Sequence, residues 1–413
     1  MLKKIPVGWR KFILKDLFEV REERHPNNGK FPLCSLTIEN GLVYKPERYI
    51  REFLVKSKDK AYKMIYKGDL VFNPMNLRWG AIAFSKLSET VIASPVYEVL
   101  YLKDSKVVDP YFLECMFETP SFMNLVKTFA EGTLIERMGV NINNFLKFPI
   151  VLAPINEQHK ISGTLSTIDL VVNGTQAVID QTQTLKKGLM QELFTRGIPG
   201  RHNKFRPSSM GSIPSDWKVV RISDIALVDY GISESVSSNI NPDIGWPILT
   251  GANIDIDGYI SLHKIVYIKP PSQERFLLKK GDVLLNWRSG SASHVGKSAI
   301  FDLEGNYTYA SFILRVRPFA ANSRFLHLLF SFMRERSMFT SDVSQQVNFK
   351  MNATVFRDLE IPLPSAEEQK QIVKLCEAID EELVKERDFQ RIAILTKSAL
   401  MQVLLTGEVR VKT

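Results

Sequence analysis

Cysteine is scarce in this 413-residue chain, and long hydrophobic runs are absent. The three cysteines, Cys34, Cys115 and Cys376, lie far apart and form no Cys-x-x-Cys pair, which excludes a disulfide framework and a cysteine-rich zinc site. No stretch approaches the ~20 apolar residues that span a bilayer, and no apolar run of a signal peptide follows the basic N-terminus. We therefore expect a soluble, cytoplasmic protein with no membrane partner.

The motifs of common nucleic-acid enzymes are missing as well. No two glycines are separated by one residue, so the Gly-x-Gly turn of a nucleotide or S-adenosylmethionine fold is absent. Five residues separate Gly290 from Gly296 where a phosphate-binding loop requires four, and a strand-like segment follows. The only Pro-Asp dipeptide has no Glu/Asp-x-Lys behind it, and the six histidines are scattered. The sequence predicts no catalytic residue, no metal ligand and no cofactor bound by this chain.

The composition is that of a globular protein with a basic excess. Hydrophobic residues make up 45% and charged residues 24% of the chain, and this length is typical of two or three domains. The net charge of +9 lies mainly in the first 154 residues and in the central segment 155–207. Excess Lys and Arg attract phosphates, so a polyanionic partner explains the charge. A solvated basic surface explains it equally well.

The chain repeats itself with a period of about half its length. Pro6-Val-Gly-Trp9 recurs as Pro214-Ser-Asp-Trp217 at an offset of 208, and Lys67-Gly68-Asp69 recurs as Lys280-Gly281-Asp282 at an offset of 213. In the last third of each copy the offset is constant at 211. The front of each copy has therefore diverged by insertion and deletion, while the back has kept its length.

The back of each copy is predicted to be one long helix. Residues at 4-3 spacing are apolar at both ends of each seam and partly polar in the middle, twice in the same register, which favours an exposed coiled coil over two core helices. Ser365 and Glu368 predict a capping box, and Gly197 and Gly407 are predicted to end the helices. The predicted seam residues are Ile161, Leu165, Ile168, Val172, Leu189 and Leu193 in the first helix, and Ile372, Ile379, Leu383, Leu400 and Leu404 in the second.

The front of each copy is predicted to be α+β. Short apolar runs at 69–72, 81–84 and 96–102 indicate strands, and helices are predicted at 110–117 and 323–339. The predicted organisation is an α+β domain at 1–153, a helix at 154–197, a Pro/Gly/Ser-rich linker at 198–213, a second α+β domain at 214–363, a second helix at 364–407 and a tail at 408–413.

Taken together, these residues resemble the specificity subunit of Type I restriction-modification systems over almost the whole chain. The most specific pieces are the segments 364–373 and 400–407 with their first-copy versions, the Pro-x-x-Trp starts and the Lys-Gly-Asp strands. The resemblance implies a fold class of α+β: two similar α/β target-recognition domains separated by a pair of long antiparallel helices, as a pseudo-twofold tandem duplication. Pro-x-x-Trp and Lys-Gly-Asp themselves are interpreted as packing and turn residues.

The resemblance also implies function and partners. The chain would be a non-catalytic subunit that binds double-stranded DNA at a bipartite, asymmetric site, one half-site per domain. It would dock two methyltransferase subunits and the restriction subunits, and S-adenosylmethionine, ATP and Mg would be bound by those partners. The lone chain could instead form a homodimer. Two other classes stay open: a self-contained DNA methyltransferase or nuclease with unrecognised motifs, and a helical scaffold that binds only protein.

The predicted helices are long enough to act as a spacer. From Ile161 to Leu193 there are 32 steps, or ~48 Å at 1.5 Å per residue. Two domains held by such helices can contact half-sites about one DNA turn apart, ~34 Å.

Base-reading residues are predicted in polar loops that differ between the copies. Arg, Asn, Gln, Ser and Thr read base edges, whereas contacts to phosphates only position a protein. The loop after each Lys-Gly-Asp strand is the first candidate, and a structural hairpin tip is its alternative. Its residues are Asn73, Asn76, Arg78 and Trp79 in the first copy, and Asn286, Trp287, Arg288, Ser291, Ser293, His294 and Lys297 in the second; a second set contains Thr133, Arg137, Gln345, Gln346, Asn348 and Lys350.

Overall fold

The computed structural model describes residues 5–45, 61–130, 139–233, 239–289, 294–339, 349–350 and 353–411. It divides into two compact units: unit 1 is residues 1–176 with 388–413, and unit 2 is residues 177–387. Both long helices pass from one unit to the other, so each unit contains part of each helix. The sequence-based boundaries instead treat each helix as a separate segment.

Unit 1 is built on a four-stranded sheet. Its strands are β1 (Arg10–Ile13), β2 (Phe18–Val20), β3 (Arg24–Pro26), β4 (Cys34–Thr37), β5 (Gly41–Tyr44), β6 (Ala61–Ile65), β7 (Leu70–Phe72), β8 (Ile82–Phe84), β9 (Val91–Ala93), β10 (Glu98–Leu102) and β11 (Pro149–Leu152). Its helices are α1 (Leu14–Leu17), α2 (Pro110–Phe117), α3 (Pro120–Phe129), α4 (Ile142–Leu146) and the first part of α5 (Ile155–Thr195). The central sheet has the order β2-β10-β7-β8, β3-β6-β9 forms a second sheet, and β1 pairs with β11.

Unit 2 repeats this construction. Its strands are β12 (Phe205–Ser208), β13 (Gly211–Pro214), β14 (Lys218–Arg221), β15 (Ala226–Tyr230), β16 (Trp246–Leu249), β17 (Val266–Ile268), β18 (Val283–Asn286), β19 (Arg288–Ser289), β20 (Ser298–Ile300), β21 (Thr308–Tyr309), β22 (Ile313–Pro318), β23 (Phe349–Lys350) and β24 (Glu360–Leu363). Its helices are α6 (Ser323–Glu335), α7 (Ala353–Arg357) and the first part of α8 (Ala366–Leu404). The central sheet has the order β15-β22-β18-β20, and β14 pairs with β24 as β1 pairs with β11. The predicted α+β tandem duplication is confirmed.

The Lys-Gly-Asp turn leads into a completely buried core strand in each unit, as predicted. In unit 1 the Asp69 carboxylate accepts hydrogen bonds from Tyr66 N (2.8 Å) and from Nε and Nη2 of Arg21 (2.7 and 2.9 Å). In unit 2 the Asp282 carboxylate accepts Nε and Nη2 of Arg317 (2.6 and 2.7 Å). Both aspartates are buried, and a bidentate arginine compensates for the lost hydration of each carboxylate.

The halves of α5 and α8 run antiparallel within each unit. In unit 1, Lys397 Nζ lies 2.7 Å from Asp169 Oδ1, and Gln390 Nε2 donates to Gln176 Oε1 at 3.0 Å. Residue numbers therefore increase along α5 in the direction in which they decrease along α8. In unit 2, Lys186 Nζ lies 2.5 Å from Asp380 Oδ1. The lysines and the aspartates are each 211 residues apart, so the same ion pair occurs once per unit.

The seam positions lie against protein throughout. None of the predicted seam residues is exposed, and Ile161, Leu165, Leu193 and Ile372 are completely buried. Leu383 and Leu404 are also buried, whereas Ile168, Val172, Leu189, Ile379 and Leu400 are half-buried.

A buried glutamate at the start of each long helix joins distant parts of its unit. The carboxylate of Glu157 accepts the indole N–H of Trp9 (3.2 Å) and two N–H groups of Arg410 (2.7 and 2.8 Å). The carboxylate of Glu368 accepts the indole N–H of Trp217 at 3.1 Å. We call these groups the carboxylate clusters of units 1 and 2. The two tryptophans are packing residues, as interpreted, and they also donate hydrogen bonds.

The carboxylate cluster of unit 2 has a different set of partners. Glu368 Oε1 lies 2.7 Å from His202 Nε2 and accepts the backbone N–H of Ile198, and Arg201 Nε lies 3.7 Å from Oε2. Gly197 ends α5 with a left-handed φ of +74°, and a Cβ there would lie 2.6 Å from the Glu368 carboxylate. The predicted C-terminal glycine is therefore required both by its conformation and by this close approach.

Two predictions about helix ends need correction. Ser365 Oγ accepts Glu368 N–H at 3.3 Å, but the Glu368 carboxylate bonds Trp217 instead of returning to Ser365, so only half of the capping box forms. Helix α6 ends at Glu335 rather than 339 because Ser337 is left-handed and N–H of Met338 bonds the carbonyl of Met333, a Schellman ending.

The segment 198–213 is not an irregular linker over its whole length. Strands β12 and β13 pair as a hairpin, with Gly211 at a φ of +110°. Met210 is buried and Ile213 is completely buried in the core of unit 2. Burial of these two apolar side chains orders a stretch whose Pro, Gly and Ser content is typical of a linker.

Replacing Lys397 by alanine is expected to lower the free energy of unfolding by ~2 kcal/mol. The lysine side chain is 17% exposed and lies between Asp169, which is 31% exposed, and the exposed Glu118, so its removal leaves one partly buried carboxylate without its cation. Urea unfolding of the full chain measures this change. Lys397→Arg, which keeps the charge, is the control, and a loss below ~0.5 kcal/mol would show that the pair acts as an exposed ion pair.

Candidate nucleic-acid interface

The loop predicted first from the sequence, after each Lys-Gly-Asp strand, starts at one edge of its central sheet. β15 and β18 both pair antiparallel with β22, so they run parallel to each other and their carboxyl ends meet at the edge where β22 begins. In unit 1, β2 and β7 have the same relation to β10. We call these the recognition edges. The loop after each Lys-Gly-Asp strand begins there.

At the recognition edge of unit 1 the loop is a tight turn with an exposed ring. Asn73 is half-buried, and its Oδ1 accepts Met75 N–H at 3.1 Å, so its side chain shapes the turn. Asn76 is exposed, and Trp79 is 61% exposed. The guanidinium of Arg78 lies 5.0 Å from the Trp79 ring centroid, within cation–π distance. Asn76 and Trp79 are therefore at the surface, and Arg78 is half-buried beside the Trp79 ring.

In unit 2, Asn286 and Lys297 are structural residues. Asn286 is 3% exposed, and its Nδ2 donates to the carbonyl of His294 at 3.0 Å. Lys297 is 7% exposed, and its Nζ donates to the carbonyls of Gly251 (3.1 Å) and Ile254 (2.6 Å); burial lowers the pKa of this lysine. Both side chains were predicted to contact DNA, and this arrangement corrects that prediction because backbone carbonyls bind the donors below the surface.

Trp287 and Arg288 lie at the recognition edge of unit 2 with two further aromatic residues. Trp287 Nε1 donates to the carbonyl of Ser311 at 2.6 Å, and its ring contacts Tyr230 edge-on at 5.1 Å. Arg288 is exposed, and its guanidinium lies 5.3 Å from the ring centroid of Phe312, which is itself 46% exposed. Trp287 is thus held in place next to Arg288, and the exposed guanidinium of Arg288 lies over the Phe312 ring.

The remaining predicted residues are placed only in part. His294 is exposed next to this loop. The backbone of Lys350 pairs with Arg288 through β23 and β19, which brings one residue of the second candidate set beside one of the first. Ser291, Ser293, Thr133, Arg137, Gln345, Gln346 and Asn348 lie outside the described residues.

Two features of this edge were missed from the sequence. Phe312 immediately precedes β22, and Arg288 comes shortly after β18. The two residues meet only because β18 pairs with β22. A cavity of about 610 Å³ opens beside the end of β15, lined by Asp229, Tyr230, Gln273, Arg275, Phe276 and Arg357 among others. The first predicted loops follow a strand, whereas Phe312 precedes one, so loop composition did not indicate it.

The described part of the chain has neither a metal-binding group of side chains nor a membrane-spanning helix. No group of three His, Cys, Asp or Glu side chains able to hold a metal ion occurs among those residues. None of the helices described here has the length and apolar character needed to cross a membrane.

A family model matches both copies of the repeat. The model of the Type I restriction modification DNA specificity domain matches residues 6–181 and 214–390, which is most of the chain. The chain belongs to this family and is a DNA-recognition subunit of the Type I restriction-modification class.

Named relatives and solved structures agree with this assignment. The putative type I restriction enzyme MjaX specificity subunit of Methanocaldococcus jannaschii is 26% identical over 433 residues, covering 99% of this chain and 95% of the relative. The EcoKI specificity subunit of Escherichia coli K12 is 22% identical over 377 residues, covering 83% and 80%. A chain from a study of complex assembly and conformational transition of the type I R-M system is 18% identical with a TM-score of 0.63, covering 98% and 100%. The S subunit from M. genitalium is 14% identical with a TM-score of 0.54, covering 97% and 96%.

Proposed function

We propose that this chain selects an asymmetric, two-part sequence in double-stranded DNA, one half-site with the recognition edge of each unit, and catalyses no reaction itself. The observation that carries this proposal is the repetition of one sheet order with different residues at its edge. Unit 1 has the exposed Trp79 beside the half-buried Arg78, whereas unit 2 has the exposed Arg288 beside Phe312. Two similar scaffolds with different contact residues suit two different half-sites.

We further propose that two methyltransferase subunits and the restriction subunits act with this chain in the cytoplasm, and that S-adenosylmethionine, ATP and Mg are bound by them. The relatives are specificity subunits of restriction enzymes, and each unit offers one pair of antiparallel helix halves. Apolar side chains away from the seam support docking on these helices: Leu170, Phe389 and Ile392 in unit 1, and Leu185 in unit 2, are more than half exposed. For the lone chain without partners, we propose that the same side chains form the interface of a homodimer.

Exchanging residues 214–363 for the corresponding segment of another specificity subunit is expected to change one half of the methylated sequence and to leave the other half unchanged. The recognition edge of unit 2 lies within this segment, whereas that of unit 1 does not. Single-molecule mapping of methylated adenines, with the chain co-expressed with its methyltransferase, measures both halves at once.

Exchange of residues 1–153 is the matched control and should alter the opposite half only. A change in both halves after either exchange would contradict the assignment of one half-site to each unit. Methyl transfer from labelled S-adenosylmethionine to DNA by the lone chain would favour a self-contained enzyme instead.

A further inference from the structure

We propose that Arg288, held by the ring of Phe312, contacts a guanine in the half-site of unit 2, and that Phe312 is therefore a positioning residue for sequence recognition. This inference rests on the proposed function, because it takes the recognition edge of unit 2 as the surface that meets DNA.

The donors of Arg288 are available to an outside acceptor. On strand β22, which follows Phe312, Arg317 is bound by Asp282 and Arg315 by Asp229, so the protein itself uses those guanidinium groups. Within the described residues, by contrast, no carboxylate lies within ion-pair distance of Arg288, and its side chain is exposed. Its guanidinium lies over the face of the Phe312 ring, which leaves the N–H groups at the guanidinium edge without an acceptor among those residues.

The surroundings of Arg288 hold it in place before DNA arrives. The backbone of Arg288 pairs with β23, and the preceding Trp287 is fixed through its indole N–H and through its backbone N–H, which bonds the carbonyl of Phe312 at 3.2 Å. The hydroxyl of Tyr230, which supports the Trp287 ring, accepts N–H of Ala353 at 2.7 Å. An arginine with a fixed backbone and a guanidinium that lies over a ring loses less conformational entropy when it forms a bidentate contact.

The chemistry of this group favours one base. A planar guanidinium with two parallel N–H groups matches O6 and N7 of guanine in the major groove, which is the commonest specific contact to a base edge. A phosphate would also accept these bonds, but Phe312 is 46% exposed beside the arginine and supplies an apolar contact suited to a base rather than to a phosphate. Unit 1 repeats the pairing with Arg78 and Trp79, from different positions of its loop.

The test uses the full chain with its methyltransferase subunits and a library of duplexes randomised in the half-site of unit 2. Arg288→Ala and Arg288→Lys are expected to lower the preference for guanine at one base pair by about 10- to 100-fold, because lysine keeps the charge but lacks the fork. Phe312→Ala should lower the same preference by a smaller factor, and Phe312→Trp should retain it. The half-site of unit 1 should stay unchanged in every variant.

Arg221, an exposed arginine on β14, is the matched control, and Arg221→Ala should leave both half-sites unchanged. Retention of every base preference by Arg288→Lys and Arg288→Ala would overturn the inference, and so would a uniform loss across all duplexes with a reduced salt dependence, which marks a phosphate contact. Failure of the proposed function is a separate outcome, because the wild-type complex would then methylate no two-part site. Arg288→Lys guards against misfolding, since it changes an exposed side chain and keeps its charge.

Discussion

Replacing Glu368 by alanine is expected to lower the free energy of unfolding by about 3–5 kcal/mol, measured by urea unfolding of the full chain. The carboxylate is 2% exposed and accepts hydrogen bonds from the Trp217 indole and from N–H of Ile198, beside His202. Its removal leaves buried donors without an acceptor, which costs more than the net value of the bonds themselves. The start of α8, the end of α5 and the first strands of unit 2 lose their common anchor.

Glu157→Ala is the matched variant in unit 1, and a comparable loss is expected because Trp9 and Arg410 bond the same carboxylate there. The hydrogen bond from Arg410 lowers the pKa of Glu157 below its ordinary value of 4.5. This contribution to stability is therefore present above pH ~4.5 and is lost as the pH falls through the lower pKa of the folded state. The stability difference between wild type and Glu157→Gln should shrink over that interval, and a loss below ~1 kcal/mol for both alanine variants would show that these carboxylates are not anchors.

Adding four residues to α5 alone is expected to abolish methylation of the two-part site. The ion pair Lys397–Asp169 lies in unit 1 and the ion pair Lys186–Asp380 lies in unit 2. Each long helix therefore contributes one residue to each pair, and it passes from one unit to the other between those two residues. One extra turn, ~6 Å, in a single helix prevents both pairs from forming together. An insertion between 176 and 177 should therefore uncouple the two half-sites, as adenine mapping in the complex would show.

Insertion of four residues into both helices, between 176 and 177 and between 387 and 388, is the compensated control. Both ion pairs can then form, and the unread gap between the half-sites should lengthen by one or two base pairs. An unchanged gap would contradict the idea that the helices set the spacing. Full activity of the single insertion would contradict the need for paired registers.

The sequence predicted the duplicated architecture because its evidence is periodic. Seam residues at 4-3 spacing report which side of a helix is buried, and all of those predicted are buried or half-buried. Constant offsets likewise report equivalent positions such as Glu157 and Glu368. Neither pattern contains information about the partner of a polar group, and Trp217 lies 151 residues from the carboxylate that it bonds.

The candidate site was predictable only in outline for the same reason. Asn286 and Lys297 were predicted to lie in a polar loop, but Asn286 is the last residue of β18, and carbonyl groups of Gly251 and His294 bind the donors of both side chains beneath the surface. Phe312 could not be chosen because its meeting with Arg288 depends on the pairing of β18 with β22. Loop composition predicts which segments are candidates for DNA contacts, whereas tertiary hydrogen bonds decide which of their side chains stay available.

The aspartate of each Lys-Gly-Asp turn has a consequence for recombination between specificity genes. Asp69 is neutralised by Arg21, just after β2, whereas Asp282 is neutralised by Arg317, on β22. A hybrid that joins single strands of one copy to those of the other can inherit the buried anion without its cation, at a cost of several kcal/mol. Viable hybrids should therefore have their crossover points outside the central sheets, so that new specificities arise by exchange of whole recognition modules rather than by mixing within them.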